Sequence, residues 1–171
     1  MTKLKNYICK VATREELLKR WEYLLKIHPG KKDWVTYREN AIRNFDDEST
    51  ISYLGILNNE IICEATAYIK ESAFEGDISD FSKLLNDNMA YLAAFRTNKE
   101  YEGKGYFGKL YEFMENDLKQ KGYTELCLGV GPEEVRNIKI YFHLGFTEYV
   151  KTLIKHNQSK ENVIIFYKKK I

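Results

Sequence analysis

Apolar positions along the chain switch repeatedly between two periods. From Leu4 to Val11 they alternate with polar ones, which predicts a first strand. The period then lengthens, and Leu17, Leu18, Trp21, Leu24 and Leu25 fall on one helical face. This helix opens at Thr13, whose hydroxyl stands three residues before Glu16 in the spacing of a capping box, and it ends near His28-Pro29-Gly30. A second helix is predicted from Asp33 to about Phe45. Two strands follow, Ile51 to Leu57 and Glu60 to Ile69, joined by Asn58-Asn59, residues that tolerate the positive φ of a tight hairpin turn. Glu71 to Asn88 break the pattern and read as an insertion with a helical turn around Phe81, Leu84 and Leu85. Met89 to Thr97 is an apolar strand. Beyond a glycine cluster, Leu110, Phe113, Met114 and Leu118 mark a helix that runs to Lys121 and closes at Gly122. Thr124 to Val130 is a further strand, Pro132 suits the start of a helix that ends at Gly145, and Phe146–Lys155 with Asn162–Lys169 make a closing hairpin. There is no internal repeat and no linker, so the whole span 1–171 reads as one α/β domain.

Composition narrows the function classes. A hydrophobic content of 44% with 30% charged residues is that of a globular chain able to bury a core. A net charge of +2 gives no reason to invoke nucleic acid. No apolar run is long enough to span a bilayer, and Met1 to Lys5 lacks the apolar stretch of a signal peptide, so a cytoplasmic protein without a membrane partner is expected. Cys9, Cys63 and Cys127 are isolated, form no CxxC pair and fit a reducing compartment, each as a small core residue. No metal is expected.

The candidate chemistry sits in Glu102-Gly103-Lys104-Gly105-Tyr106-Phe107-Gly108, between a strand and a helix. Glycines there let backbone approach a ligand, and the exposed amides of a helix start favour an anion such as a pyrophosphate; Lys104 adds charge. Gly103 to Gly108 match the G-x-G-x-x-G of dinucleotide-binding folds. Three features count against that owner. The residues Asn98 to Glu102 separate strand from glycines, the second half of the chain leaves little room for a doubly wound sheet, and the acidic residue expected at the next strand's end is missing.

The stretch from Met89 to Lys121 instead resembles the central motif of the GCN5-related N-acetyltransferase (GNAT) superfamily: a strand, a Q/R-x-x-G-x-G/A loop and a helix. Gly105 takes the first glycine position, Glu102 stands where Arg or Gln is usual, and Phe107 replaces the second small residue, with Gly108 one place later. Asn137-Ile138-Lys139-Ile140-Tyr141-Phe142-His143-Leu144-Gly145-Phe146 resembles the family's later motif, one helix and one strand further on.

The resemblance implies a mixed α/β fold, with a central twisted sheet of about six to seven strands flanked by helices. Its two central parallel strands, here Met89–Thr97 and Thr124–Val130, splay apart. It implies acetyl-CoA as cosubstrate, held by Phe95, Arg96 and Thr97 of the first splayed strand, by Gly103, Lys104, Gly105, Tyr106, Phe107 and Gly108 of the loop, and by Asn137 and Tyr141. Tyr141 would protonate the leaving thiolate, which is general acid work. His143 lies on another helix face. Glu64, an acid among Ile62, Cys63, Ala65 and Ala67, is the candidate general base. The acceptor is a primary amine of a small molecule or peptide. If Glu71, Glu75, Asp77, Asp80, Asp87 and the run Asp46-Asp47-Glu48 line the cleft, they favour a cationic one. A homodimer is compatible with the sequence. The alternative is a degenerate relative, a non-catalytic acyl-CoA-binding sensor or interaction module, which Glu102 and the lack of an obvious base motivate.

Overall fold

The computed structural model describes residues 6–74, 85–157 and 160–171. Its elements run in the order β1 (Tyr7–Val11), α1 (Arg14–Ile27), α2 (Lys32–Asp46), β2 (Thr50–Leu57), β3 (Glu60–Tyr68), β4 (Met89–Thr97), α3 (Tyr106–Gln120), β5 (Glu125–Val130), α4 (Val135–His143), β6 (Glu148–Asn157) and β7 (Lys160–Lys170). Short 3-10 turns at Glu71–Ala73 and Lys99–Tyr101 flank β4.

Local chemistry explains most of these boundaries. The capping box forms as its spacing predicts: Thr13 Oγ1 accepts from the Glu16 amide, and the Glu16 carboxylate accepts from the Thr13 amide. Asn58 and Asn59 both take positive φ in the β2–β3 turn. The start of α4 differs from expectation. Pro132 lies in a turn, because the Glu134 carboxylate accepts from the Gly131 amide at 2.7 Å, and the helix begins only at Val135. Strand β6 begins at Glu148, with Phe146 packed in the core ahead of it. The first strand is described from Tyr7; Leu4 lies outside the described residues, as do Phe81 and Leu84 of the expected insertion turn.

The strands form one seven-stranded mixed sheet in the order β1-β2-β3-β4-β5-β7-β6. Among the described strands only β4 and β5 pair in parallel, and they do so over Met89–Tyr91 against Glu125–Cys127. Beyond Tyr91 the two strands part. Helix α3 packs across β1, β2 and β3, and its buried Leu110, Met114 and Leu118 join Ala90, Leu92 and Leu126 in the main core. Helices α1 and α2 build a second layer around Leu17, Trp21 and Leu24. The expected sheet with splayed central strands is therefore the observed architecture.

Candidate functional site

The divergence of β4 from β5 is reinforced by a bulge on the other edge of β4. Thr66 pairs with Ala93 and Glu64 with Arg96, so the single residue Ala65 stands opposite both Ala94 and Phe95. Ala94 adopts φ 56°, a left-handed conformation that costs an L-residue roughly 1–2 kcal/mol. Strain of this kind persists where surrounding structure over-determines it.

A cleft of about 390 Å³ opens beside the bulge, between the end of β4, the start of α3 and α4. Phe95, Thr97, Gly103, Gly105, Tyr106, Phe107, Gly108, Asn137 and Tyr141 all line it, together with Glu102. Sequence reading gave no role to Tyr101, Arg136 or Ile140, which also line it; Tyr101 and Ile140 fall inside the two motif stretches at positions the motifs leave open, and Arg136 stands just ahead of the second. At its mouth, Gly105 caps α3 with φ 85°, where a side chain would be strained. The amides of Tyr106, Phe107 and Gly108 form the first helical turn and have no intrahelical carbonyl to bond. Apart from the adjoining residues and the helix's own backbone, no heavy atom of the described residues lies within 4 Å of where a Cβ would stand at Gly103, Gly105 or Gly108. This open cradle of amides at the positive end of a helix suits a phosphate.

The loop is braced from beneath. Tyr7 Oη donates to the Tyr106 carbonyl at 2.8 Å and lies 3.0 Å from Cys63 Sγ. The Tyr7 ring reaches that far only because Gly55 has no side chain: a Cβ there would clash with Tyr7 Oη.

Deeper in the cleft, Phe95 contacts Phe107 and Tyr141 ring to ring, with centroids 5.0 and 6.0 Å apart. The Tyr141 hydroxyl makes no hydrogen bond among the described residues. Burial raises its pKa, and the nearby Glu134 carboxylate pushes the same way, so the group stays protonated. Asn137 Nδ2 donates to Glu134 at 2.9 Å, so it secures the start of α4 while lining the cleft. His143 is exposed at the end of α4 and does not line the cleft.

Three candidates fall elsewhere. Lys104 Nζ donates to the Glu100 carbonyl at 2.8 Å and lies over the Tyr101 ring, outside the cleft lining. Arg96 projects from the opposite face of β4, its guanidinium carbon 5.5 and 5.2 Å from the ring centroids of Trp21 and Trp34. Glu64 is buried, with Oε2 accepting from Arg20 at 3.0 Å and Oε1 accepting from Arg96. Both oxygens are thus engaged on the α1 face, away from Tyr141. Arg20 also donates to Asn98 Oδ1 and the Ile61 carbonyl. Of the acids expected at the cleft, Asp46 pairs with Arg14 and Asp47 caps the Ser49 amide, at the end of β2 remote from Thr97. Glu75, Asp77 and Asp80 lie outside the described residues.

A second cavity, of about 490 Å³, lies on the α1 side of β4. Tyr23, Ile27 and His28 of α1 and its C-terminal cap form one wall, with Arg96, Lys99 and Glu100 opposite. It shares Phe95, Thr97 and Glu102 with the first cleft, so the two cavities meet at the end of β4.

Residues 10–146 match the sequence model of the acetyltransferase (GNAT) family. No curated protein matches. Among solved structures, the chain is similar to an N-acetyltransferase from Staphylococcus aureus (TM-score 0.67, 14% identity, covering 97% of this chain and 99% of that one). A ribosomal-protein-alanine N-acetyltransferase from Brucella melitensis is similar over 96% of this chain and 99% of that one (TM-score 0.67, 13% identity). So is a GNAT family acetyltransferase from Elizabethkingia anophelis with acetyl-CoA bound, over 98% of this chain and 99% of that one (TM-score 0.61, 15% identity). At these identities the likeness is one of fold.

Proposed function

This chain belongs to the GNAT family of acetyltransferases, and from that premise we propose that it is an active enzyme transferring the acetyl group of acetyl-CoA to a primary amine by direct attack. The observation that carries this reading is the cleft that runs from the open amides of α3 to the Tyr141 hydroxyl, which has no hydrogen-bond partner among the described residues. The residues fit the donor. The first-turn amides and Gly103 and Gly105 would hold its pyrophosphate. The unpaired inner edge of β4 between Leu92 and Thr97 would take the pantetheine amides, and Phe95 and Phe107 would flank its chain. The thioester supplies an acyl carbon open to a nitrogen nucleophile.

The roles of this chain's residues follow from where they stand. The amine nitrogen forms its bond to the acyl carbon as that carbon's bond to sulfur breaks. Of the two protons an ammonium gives up, one ends on the sulfur and one is released to solvent. Tyr141, kept protonated by burial, is the donor at the sulfur. Glu102 is the acid that borders both cavities, and its carboxylate is our candidate to accept the ammonium proton. Glu64 is given a different task, that of fixing Arg20 and Arg96.

Tyr141→Phe keeps the ring contact with Phe95 and removes the hydroxyl. The catalytic rate in a thiol-release assay should fall ~100-fold, with acetyl-CoA affinity nearly unchanged, because the hydroxyl matters as charge develops on sulfur. A variant with the wild-type rate removes Tyr141 from the chemistry. Absence of thiol release by the wild-type protein across a broad amine panel, with coenzyme A still bound, would favour the non-catalytic sensor.

A further inference from the structure

The cavity on the α1 side of β4 has a charge pattern that selects among amines. Arg20 and Arg96 share one carboxylate, Glu64. Arg20 is out of a ligand's reach: its Nε and Nη1 donate to Glu64, Asn98 and Ile61, and it is 2% exposed. Arg96 is not. It gives Nη1 to Glu64, its side chain is 29% exposed, and its Nε and Nη2 have no partner among the described residues. The rings of Trp21 and Trp34 both pack against the guanidinium. The triad thus carries an uncompensated positive charge, on a fixed fork of donors that matches a carboxylate. At the other end of the cavity, where it meets the cofactor cleft, stands Glu102. Between the two poles one wall is Tyr23, Ile27 and His28, with Ile27 presenting an apolar side chain that is 48% exposed, and the other carries Lys99 and Glu100, one charge of each sign.

We propose that this cavity is the acceptor site and takes a zwitterion, an α-amino acid with an apolar side chain, its carboxylate on Arg96 and its amine beside Glu102. The inference rests on the acetyltransferase reading for its chemistry and goes beyond it in naming the acceptor class. A polyamine, an aminoglycoside or another polycation would place a second cation against Arg96, at a cost, because like charges in a partly desolvated site repel strongly. An amine without a carboxylate would leave the Arg96 donors unpaired on binding.

The test is calorimetry on the coenzyme A-loaded protein with L-phenylalanine and L-leucine, their amides, 2-phenylethylamine and spermidine. The free acids should bind at least ~10-fold more tightly than the amides or the plain amine, since a charge-assisted hydrogen bond is worth about that factor or more. Arg96→Gln should abolish this preference, weakening the acids ~10-fold while leaving the amides unchanged. The substitution leaves Glu64 and Arg20 as a balanced pair, so the fold should survive. Should the variant fail to fold, the wild-type ratio of acid to amide still decides. Equal binding of acid and amide, tighter binding of spermidine, or an Arg96→Gln loss shared by acids and amides would each overturn the proposal. Thiol release with the same compounds separates the two readings. Acid-selective binding without turnover would sink the acetyltransferase reading alone, whereas turnover indifferent to the carboxylate would sink the acceptor assignment alone.

Discussion

Replacing Glu64 by Gln separates a structural carboxylate from a catalytic one. The side chain keeps its shape but loses its charge, and one of its two acceptor oxygens becomes a donor. That NH2 group must then face either Arg20 or Arg96, a donor against a donor. Arg20, whose side chain is 1% exposed, is left with neutral acceptors alone, Asn98 Oδ1 and the Ile61 carbonyl among them. Breaking a buried pair by removing one charge costs about 3–5 kcal/mol. In a chain of 171 residues each kcal/mol lowers Tm by about 2–4 °C, so the melting midpoint should fall by roughly 6–20 °C. Because the pair is buried, 1 M salt should rescue little of the loss. Well below the midpoint the catalytic rate should stay within a few-fold of wild type, while the KM for the acceptor rises as Arg96 loses its anchor. Differential scanning calorimetry and steady-state kinetics at low temperature measure both. A loss under about 1 kcal/mol would refute the energetic account. A ~100-fold fall in the catalytic rate with acceptor KM unchanged would make Glu64 the base.

Tyr7→Phe removes the hydrogen bond to the Tyr106 carbonyl and should cost about 1 kcal/mol, with the KM for acetyl-CoA rising several-fold and the catalytic rate unchanged; equal effects on both constants would deny that Tyr7 braces the loop. Gly105→Ala forces an L-residue into φ 85°, which should cost about 1 kcal/mol in chemical denaturation and weaken coenzyme A binding, read from a smaller ligand-induced rise in Tm. Burial pushes the Cys63 thiol from 9.0 up to about 11 and Cys127 from 9.0 up to about 12. The folded state therefore keeps protons that the unfolded chain releases, so stability is full below pH 9 and falls as pH rises towards 11 and 12. Both thiols should also resist a disulfide reagent at pH 8 until urea unfolds the chain, and rapid labelling of the native protein would show them exposed.

What the sequence discloses is set by how local the cause is. The Thr13–Glu16 box, the Asn58-Asn59 turn and the helix opening after Gly105 each rest on neighbouring residues, and each stands where the pattern puts it. The start of α4 is a local competition decided against the obvious signal: Pro132 is a good first helical residue, yet a Glu134 side chain bound to the Gly131 amide holds a turn there first. The triad of Arg20, Glu64 and Arg96 is of another kind. Its members are 44 and 32 residues apart, and nothing in the neighbourhood of Glu64 tells a buried, doubly paired carboxylate from one facing solvent. The bulge is equally silent. Met89 to Leu92 are all apolar and buried, so they carry no alternation from which a change of phase could be read.

That change of phase is what makes one strand serve two cavities. Before the bulge, Ala90 and Leu92 pack into the core with α3, while Tyr91 and Ala93 pack with Phe74 and Phe166. Unbroken alternation would send Phe95 to the second face and Arg96 towards α3. A cation would then stand inside the cleft between α3 and α4, and the wall of Phe107 and Tyr141 would lose its aromatic partner. With one extra residue at Ala94 the faces exchange. Phe95 turns to Phe107, Tyr111 and Tyr141, and Arg96 turns to Trp21, Trp34 and Glu64. The backbone strain at Ala94, roughly 1–2 kcal/mol, is offset by contacts on both sides that only the exchanged phase permits. The same extra residue curves β4 away from β5, so the opening that would receive the acyl donor and the guanidinium that would receive the acceptor's carboxylate have one origin.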